Sequence, residues 1–154
     1  LVETTVFTLE SLVLGIYILG FSLLFLKFSW GIFKLIKEIK FSEKIKQDHY
    51  QFILKQNKFT PYSFWNAIFL NKSDFLEGKI DYKIILHEKA HVNQKHSIDV
   101  IFIEIMLCVF WFNPAFYFYR KAIVTNHEFL ADEEVLKQNH EVQNRNYRDV
   151  TTHT

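Results

Sequence analysis

The sequence predicts a mainly α-helical domain with a small β hairpin, preceded by one transmembrane helix that anchors it. Three observations lead there: a charge-free apolar run near the N-terminus, a helical metal-ligand motif at mid-chain, and an aromatic, β-favouring stretch between them. The 154 residues suffice for one domain with a sizeable core. Hydrophobic residues make up 49% and charged residues 23%, yet the mean hydropathy is +0.01. Apolar and charged stretches must therefore be segregated, and part of the chain is expected in lipid. Four Gly and two Pro are too few for a disordered or collagenous chain. A net charge of +1 with no basic stripe argues against direct nucleic-acid binding. The single Cys108 excludes an intrachain disulfide and a cysteine-type zinc cluster. Because the chain opens at Leu1 and its only methionine is Met106, a processed product or a fragment of a longer protein is expected.

Ser11 to Leu26 (SLVLGIYILGFSLLFL) carries no charge. At about 1.5 Å per helical residue, the stretch from Val6 to Phe28 can cross a hydrocarbon core of roughly 30 Å. We assign residues 1–32 to a transmembrane helix, so the lipid bilayer is the first partner. A buried helix of a soluble core competes with this reading, but no polar stripe recurs at helical period. A signal peptide would carry basic residues before the run and small residues after it, and neither is present. Glu3 and Glu10 precede the run, whereas Lys27, Lys34, Lys37, Lys40, Lys44 and Lys46 follow it. The positive-inside rule places the N-terminus outside and the chain beyond Lys34 in the cytoplasm.

Residues 33–58 mix Lys, Glu and Gln with Leu, Ile and Phe, the pattern of an amphipathic helix or charged connector at the membrane surface. Residues 59–154 form the remaining domain. Within it, Thr60 to Leu70 is aromatic and β-favouring and is bounded by Pro61 and Asn71-Lys72-Ser73-Asp74, which predicts short strands or a hairpin. Asp74 to Lys79 turns around Gly78, and a helix should begin near Ile80 to Tyr82.

That helix carries the chemistry. His87-Glu88-Lys89-Ala90-His91 is an H-E-x-x-H pattern. Two histidines four apart project from one helical face and can hold a single Zn²⁺, with Glu88 placed to deprotonate water at the ion. Shuffling this composition would produce the pattern in about two chains of a hundred, so its helical context is needed, and the flanking Ile84, Ile85 and Leu86 supply it. A catalytic zinc needs a third protein ligand. Ile98 to Phe112 and Ala115 to Val124 are apolar arms separated by Asn113-Pro114, a reversal point for a helical hairpin. From His91 to Asn113 is about 33 Å of helix and from Pro114 back to Glu128 or Asp132 about 21 to 27 Å, so the two ends can meet. We assign Glu128 as the third ligand and Asp132 as the acceptor that orients a ligating histidine through its far ring nitrogen. A solvated acidic face competes for Glu128 and Asp132, since Glu133 and Glu134 stand beside them.

The other histidines receive lesser readings. His96 falls about 500° beyond His91 on a continuous helix and reads as polar surface. His127 faces away from its neighbour Glu128, and its approach to a substrate is the minor alternative. His49, His140 and His153 receive no role. Trp111, Tyr117 and Tyr119 read as an interfacial belt or core packing. Asp99 and Glu104 interrupt the first arm, so the hairpin should dip partway into the membrane or pack on the first helix, with no net crossing.

HEKAH, the FWFNP run (Phe110 to Pro114) and HEFLADEEVL (His127 to Leu136), in this order, resemble the cytoplasmic zinc-peptidase domain of BlaR/MecR-type membrane metallopeptidases. PYSFWNAIFL and DYKIILHE resemble the stretch that leads into that family's active site. The resemblance covers roughly Thr60 to Leu136. It implies a gluzincin-like fold on the bacterial inner membrane, with His87, His91 and Glu128 as zinc ligands and Glu88 as general base. It also implies proteolysis of the protein itself or of a cytoplasmic transcriptional repressor of winged-helix type after an extracellular signal, as in an antirepressor; a homodimer is a compatible assembly. The Glu-x-x-x-Asp spacing is also similar to that of CAAX prenyl proteases and HtpX-type quality-control enzymes. A non-catalytic zinc-containing sensor or scaffold is a reading of another class, separable by whether the fourth zinc position is open to water.

Overall fold

Leu9–Phe41 form one continuous helix, α1, in the computed structural model, which describes residues 8–47 and 49–151, with side chains up to residue 140. The predicted start at Val6 lies outside the described residues. Among those residues, α1 is the one helix long and apolar enough to cross a membrane, and none of its residues is buried. Its 33 residues make about 50 Å of helix, more than a bilayer core requires, so the lysine-rich end extends beyond the apolar run.

Of the two readings for residues 33–58, an amphipathic helix or a charged connector, the structure does not form the single helix. Helix α1 continues only to Phe41, and after it come two antiparallel strands, β1 (Glu43–Gln47) and β2 (Tyr50–Lys55). The predicted hairpin is present as β3 (Tyr62–Phe64) and β4 (Ala67–Asn71), which pair antiparallel. Strand β2 runs parallel to β4, giving a four-stranded sheet of order β1-β2-β4-β3. The alternation of β2 explains its fate. Phe52 and Leu54 join Ile68 and Leu70 on one face, whereas Ile53 joins Ala67 and Phe69 on the other. A strand buried on both faces reads as a near-continuous apolar run, which is why FIL looked equally helical in isolation. Ile39 of α1 packs on the second face, and Lys55 bridges to Glu38 at 3.0 Å, so the end of α1 is fastened to the sheet.

The first face carries α2 (Lys72–Leu76) and α3 (Tyr82–Asn93), whose Phe75, Ile85 and Val92 cover it. Asn71 caps α2 through Oδ1, which accepts from Asp74 N. Gly78 takes φ +66° in the turn before α3, where a Cβ would be strained. Asp81 Oδ1 caps α3 by accepting from Lys83 N at 2.9 Å.

The apolar hairpin consists of α4 (His96–Val109) and α5 (Pro114–Thr151). Pro114 opens α5, where the missing N–H costs nothing, and Asn113 Oδ1 accepts from Ala115 N at 3.0 Å. The hairpin packs on α1, as expected. Tyr17 donates its hydroxyl to the Val109 carbonyl at 3.0 Å, and its ring meets Phe112 edge-on. Further down, Lys27 and Ile32 of α1 line one cavity with Glu104 and Arg120. The tip therefore stands level with Tyr17 on α1 while both arms return to one end. The two acids that interrupt the apolar arm each find a partner across it: Glu104 pairs with Arg120, and Asp99 Oδ2 lies 3.1 Å from His127 Nε2.

Candidate metal centre

Leu86 and Ala90 of α3 turn inward and are buried. The neighbouring face, carrying His87 and His91, is thereby presented to α5. The hairpin brings Glu128 to that face, and the three donor sets converge. His87 Nε2 and His91 Nε2 are 3.0 Å apart, and Glu128 Oε2 and Oε1 lie 3.4 and 3.7 Å from them respectively. Zn–N and Zn–O bonds near 2.0–2.1 Å in a tetrahedron place donor atoms about 3.3 Å apart, so the spacing fits one ion. Among the described residues, His87, His91 and Glu128 are the one such group, with ligand atoms within 4.8 Å of one another.

The electrostatics fit the same use. Burial, with the neighbouring His87 and His127 acting in the same direction, lowers the pKa of His91 to about 4. His91 is therefore neutral at pH 7, and its contact with Glu128 is a convergence of two electron-pair donors, not an ion pair. Asp132 Oδ1 lies 3.0 Å from His87 Nδ1, the nitrogen that faces away from Glu128.

Glu88 is buried, at 7% exposure. Burial raises its pKa, while the hydroxyl of Ser63 and the charge of His87 pull it down and Glu128 pushes it up. Ser63 belongs to the edge strand β3, which lines a cavity of about 580 Å³ together with His87, Glu88 and His91. Sequence reasoning missed Ser63, because nothing local marks a serine in an aromatic strand.

Two histidine readings need correction. His96 is not at the surface: it is 5% exposed, its Nδ1 lies 2.8 Å from His91 Nδ1, and burial followed by repulsion from His127 and His91 lowers its pKa to about 4. The rotation of 100° per residue does not carry across, because α3 ends at Asn93 and Lys95 adopts φ +57° before α4 begins at His96. That left-handed residue turns His96 back toward the site. His127, 6% exposed, lines the same cavity and stacks on His96 with ring centroids 3.8 Å apart. The signal available for both was Asp99, an acid in an apolar arm that needed a partner. His49 and His140 are exposed, and His153 lies outside the described residues.

A helix that presents two histidines one turn apart around a buried glutamate, met by a glutamate from an antiparallel helix, is the arrangement expected of a metallopeptidase. The family model described as BlaR1 peptidase M56 matches residues 8–150. The chain belongs to that family, a metallopeptidase family, and its apolar N-terminal helix accords with membrane association. No curated protein matches it.

Proposed function

We propose that the chain is the zinc-peptidase portion of a membrane-bound signal transducer, hydrolysing peptide bonds in itself or in a cytoplasmic repressor of winged-helix type. The observation that carries this reading is the convergence of His87, His91 and Glu128 beside a buried Glu88, in a cavity lined by strand β3. Zinc held by His87, His91 and Glu128 would supply a Lewis acid that brings the pKa of water toward 7 and polarises the scissile carbonyl. Glu88 takes the proton of the attacking water and returns it to the leaving amine. Its burial raises its basicity, and the Ser63 hydroxyl offsets part of that rise. Asp132 keeps the proton of His87 on Nδ1, leaving Nε2 free to ligate.

Among the described residues strand β3 pairs with β4 on one side only, and residues 62–64 line the cavity. An extended substrate can add there as a fifth strand, with main-chain hydrogen bonds aligning the scissile bond over Glu88. The open cavity favours catalysis over a structural zinc site, because among the described residues no fourth His, Cys, Asp or Glu closes the group. The reading includes a gluzincin-like fold on the bacterial inner membrane, with the N-terminus outside and the hairpin dipping into the cytoplasmic leaflet beside α1.

The test is cleavage of a winged-helix repressor supplied as substrate, or of the chain itself, by the full-length protein in detergent. Glu88→Gln should bind zinc normally and lose at least about 100-fold in rate, as loss of a general base requires. Full proteolysis by a zinc-loaded Glu88→Gln protein would falsify the assignment.

A further inference from the structure

His87 and His91 both turn Nε2 inward, toward each other and toward Glu128, which leaves their Nδ1 atoms facing outward. The outward nitrogen of His87 meets a carboxylate oxygen of Asp132. The outward nitrogen of His91 meets another imidazole, with His96 Nδ1 at 2.8 Å. An imidazole that ligates through Nε2 carries its proton on Nδ1 and donates it there. His96 must then accept, with Nδ1 bare and its own proton on Nε2.

The surroundings of His96 hold it in that role. It is buried, and its ring stacks on His127 with centroids 3.8 Å apart and 7° between the planes. His127 is itself buried and is held across the hairpin by Asp99, whose Oδ2 lies 3.1 Å from Nε2. The stack sets the plane of the His96 ring and the bond to His91 sets its edge. A ring flip would replace the acceptor nitrogen with a carbon, so orientation matters as much as presence.

We propose that His96 is a positioning residue for the metal centre: it accepts the Nδ1–H of His91 and, clamped by the Asp99–His127 pair, holds the His91 ring at the angle that ligation needs. The inference rests on the reading of His87, His91 and Glu128 as ligands. It makes the two histidine ligands unequal, one backed by a carboxylate and the other by a neutral ring.

Zn²⁺ affinity, measured on the full chain in detergent by competition with a chromophoric chelator, tests it. His96→Phe keeps the stack on His127 and the buried volume but removes the acceptor, and should weaken zinc binding about 10- to 100-fold. His96→Asn places an amide oxygen near the former Nδ1 and should stay within a few-fold of the parent. Equal affinity in His96→Phe and the parent overturns the proposal. Failure of the parent to bind zinc, or retained affinity in His91→Ala, overturns the ligand reading instead. Should His96→Phe not fold, the zinc-loaded parent labelled with ¹⁵N-histidine decides. A through-hydrogen-bond N–N coupling between His91 and His96 is expected, and its absence in the folded protein refutes the proposal.

Discussion

The indole of Trp111 lies on the backbone of Gly20, so close that a Cβ at residue 20 would stand 2.6 Å from ring atoms Cε2 and Cζ2. This contact seats the tip of the apolar hairpin on α1, and with Tyr17 on Val109 it sets the height at which the hairpin stops. Gly20→Val should lift the tip and cost about 1–3 kcal/mol through overpacking. Gly15 has open space around its missing Cβ, and Gly15→Ala should be tolerated. Thermal unfolding in detergent, read through tryptophan emission, compares them; equal midpoints would place the hairpin elsewhere.

Glu104 and Arg120 answer each other across the hairpin arms. Removing either leaves a charge beside apolar helices, where an unmatched ion is costly. Each single change, Glu104→Ala or Arg120→Ala, should destabilise more than the double replacement. The pair is partly exposed, so the expected coupling is about 0.5–1 kcal/mol, the upper part of the range for surface pairs. Additive effects in a double-mutant cycle would count against the pairing.

Glu128 is more exposed than either histidine, with 56% of its side chain accessible against 23% for His87 and 16% for His91. Its role can therefore be tested with little damage to the fold. Glu128→Ala should lose zinc beyond the roughly 10- to 100-fold that orienting partners are worth, and His91→Ala should do the same. Metal analysis after dialysis gives the answer, and unchanged occupancy in Glu128→Ala removes that residue from the ligand set.

Protons compete with folding at this centre. His91 and His96 are held at about 4 in the folded chain against an ordinary value of 6.5, chiefly by burial. As pH falls from about 6.5 to about 4, the unfolded chain takes up protons that the folded chain refuses. Stability of the metal-free protein is therefore complete above about 6.5 and declines through that window. Unfolding midpoints measured from pH 7.5 to 4 should trace the decline, and His96→Asn should flatten it. A parent and variant with the same slope would show that the histidines do not carry it.

The local spacing of residues determined much of this protein. Sixteen uncharged residues specify an apolar helix, four-residue spacing puts His87 and His91 on one face, and Asn113-Pro114 specifies a reversal. These are properties of a single element, decided by a helical period and by the missing N–H of proline. They made His87, Glu88, His91 and Glu128 legible as candidates before any contact was known.

Tertiary structure decided the rest, where one segment's conformation depends on another. Residues 43–55 became strands because β4 offers β2 a parallel partner buried on both faces, a choice that Lys-Ile-Lys-Gln alone does not make. His96 entered the site because one left-handed residue, Lys95, restarts the helical phase, and helical phase can be read from sequence only while the helix is unbroken. Ser63, Asp99 and His127 gained their roles by the same route, through partners 25, 28 and 28 residues away. Pairing over such separations follows from how the sheet and hairpin pack, because the burial that makes those contacts worthwhile exists only once both sides are in place.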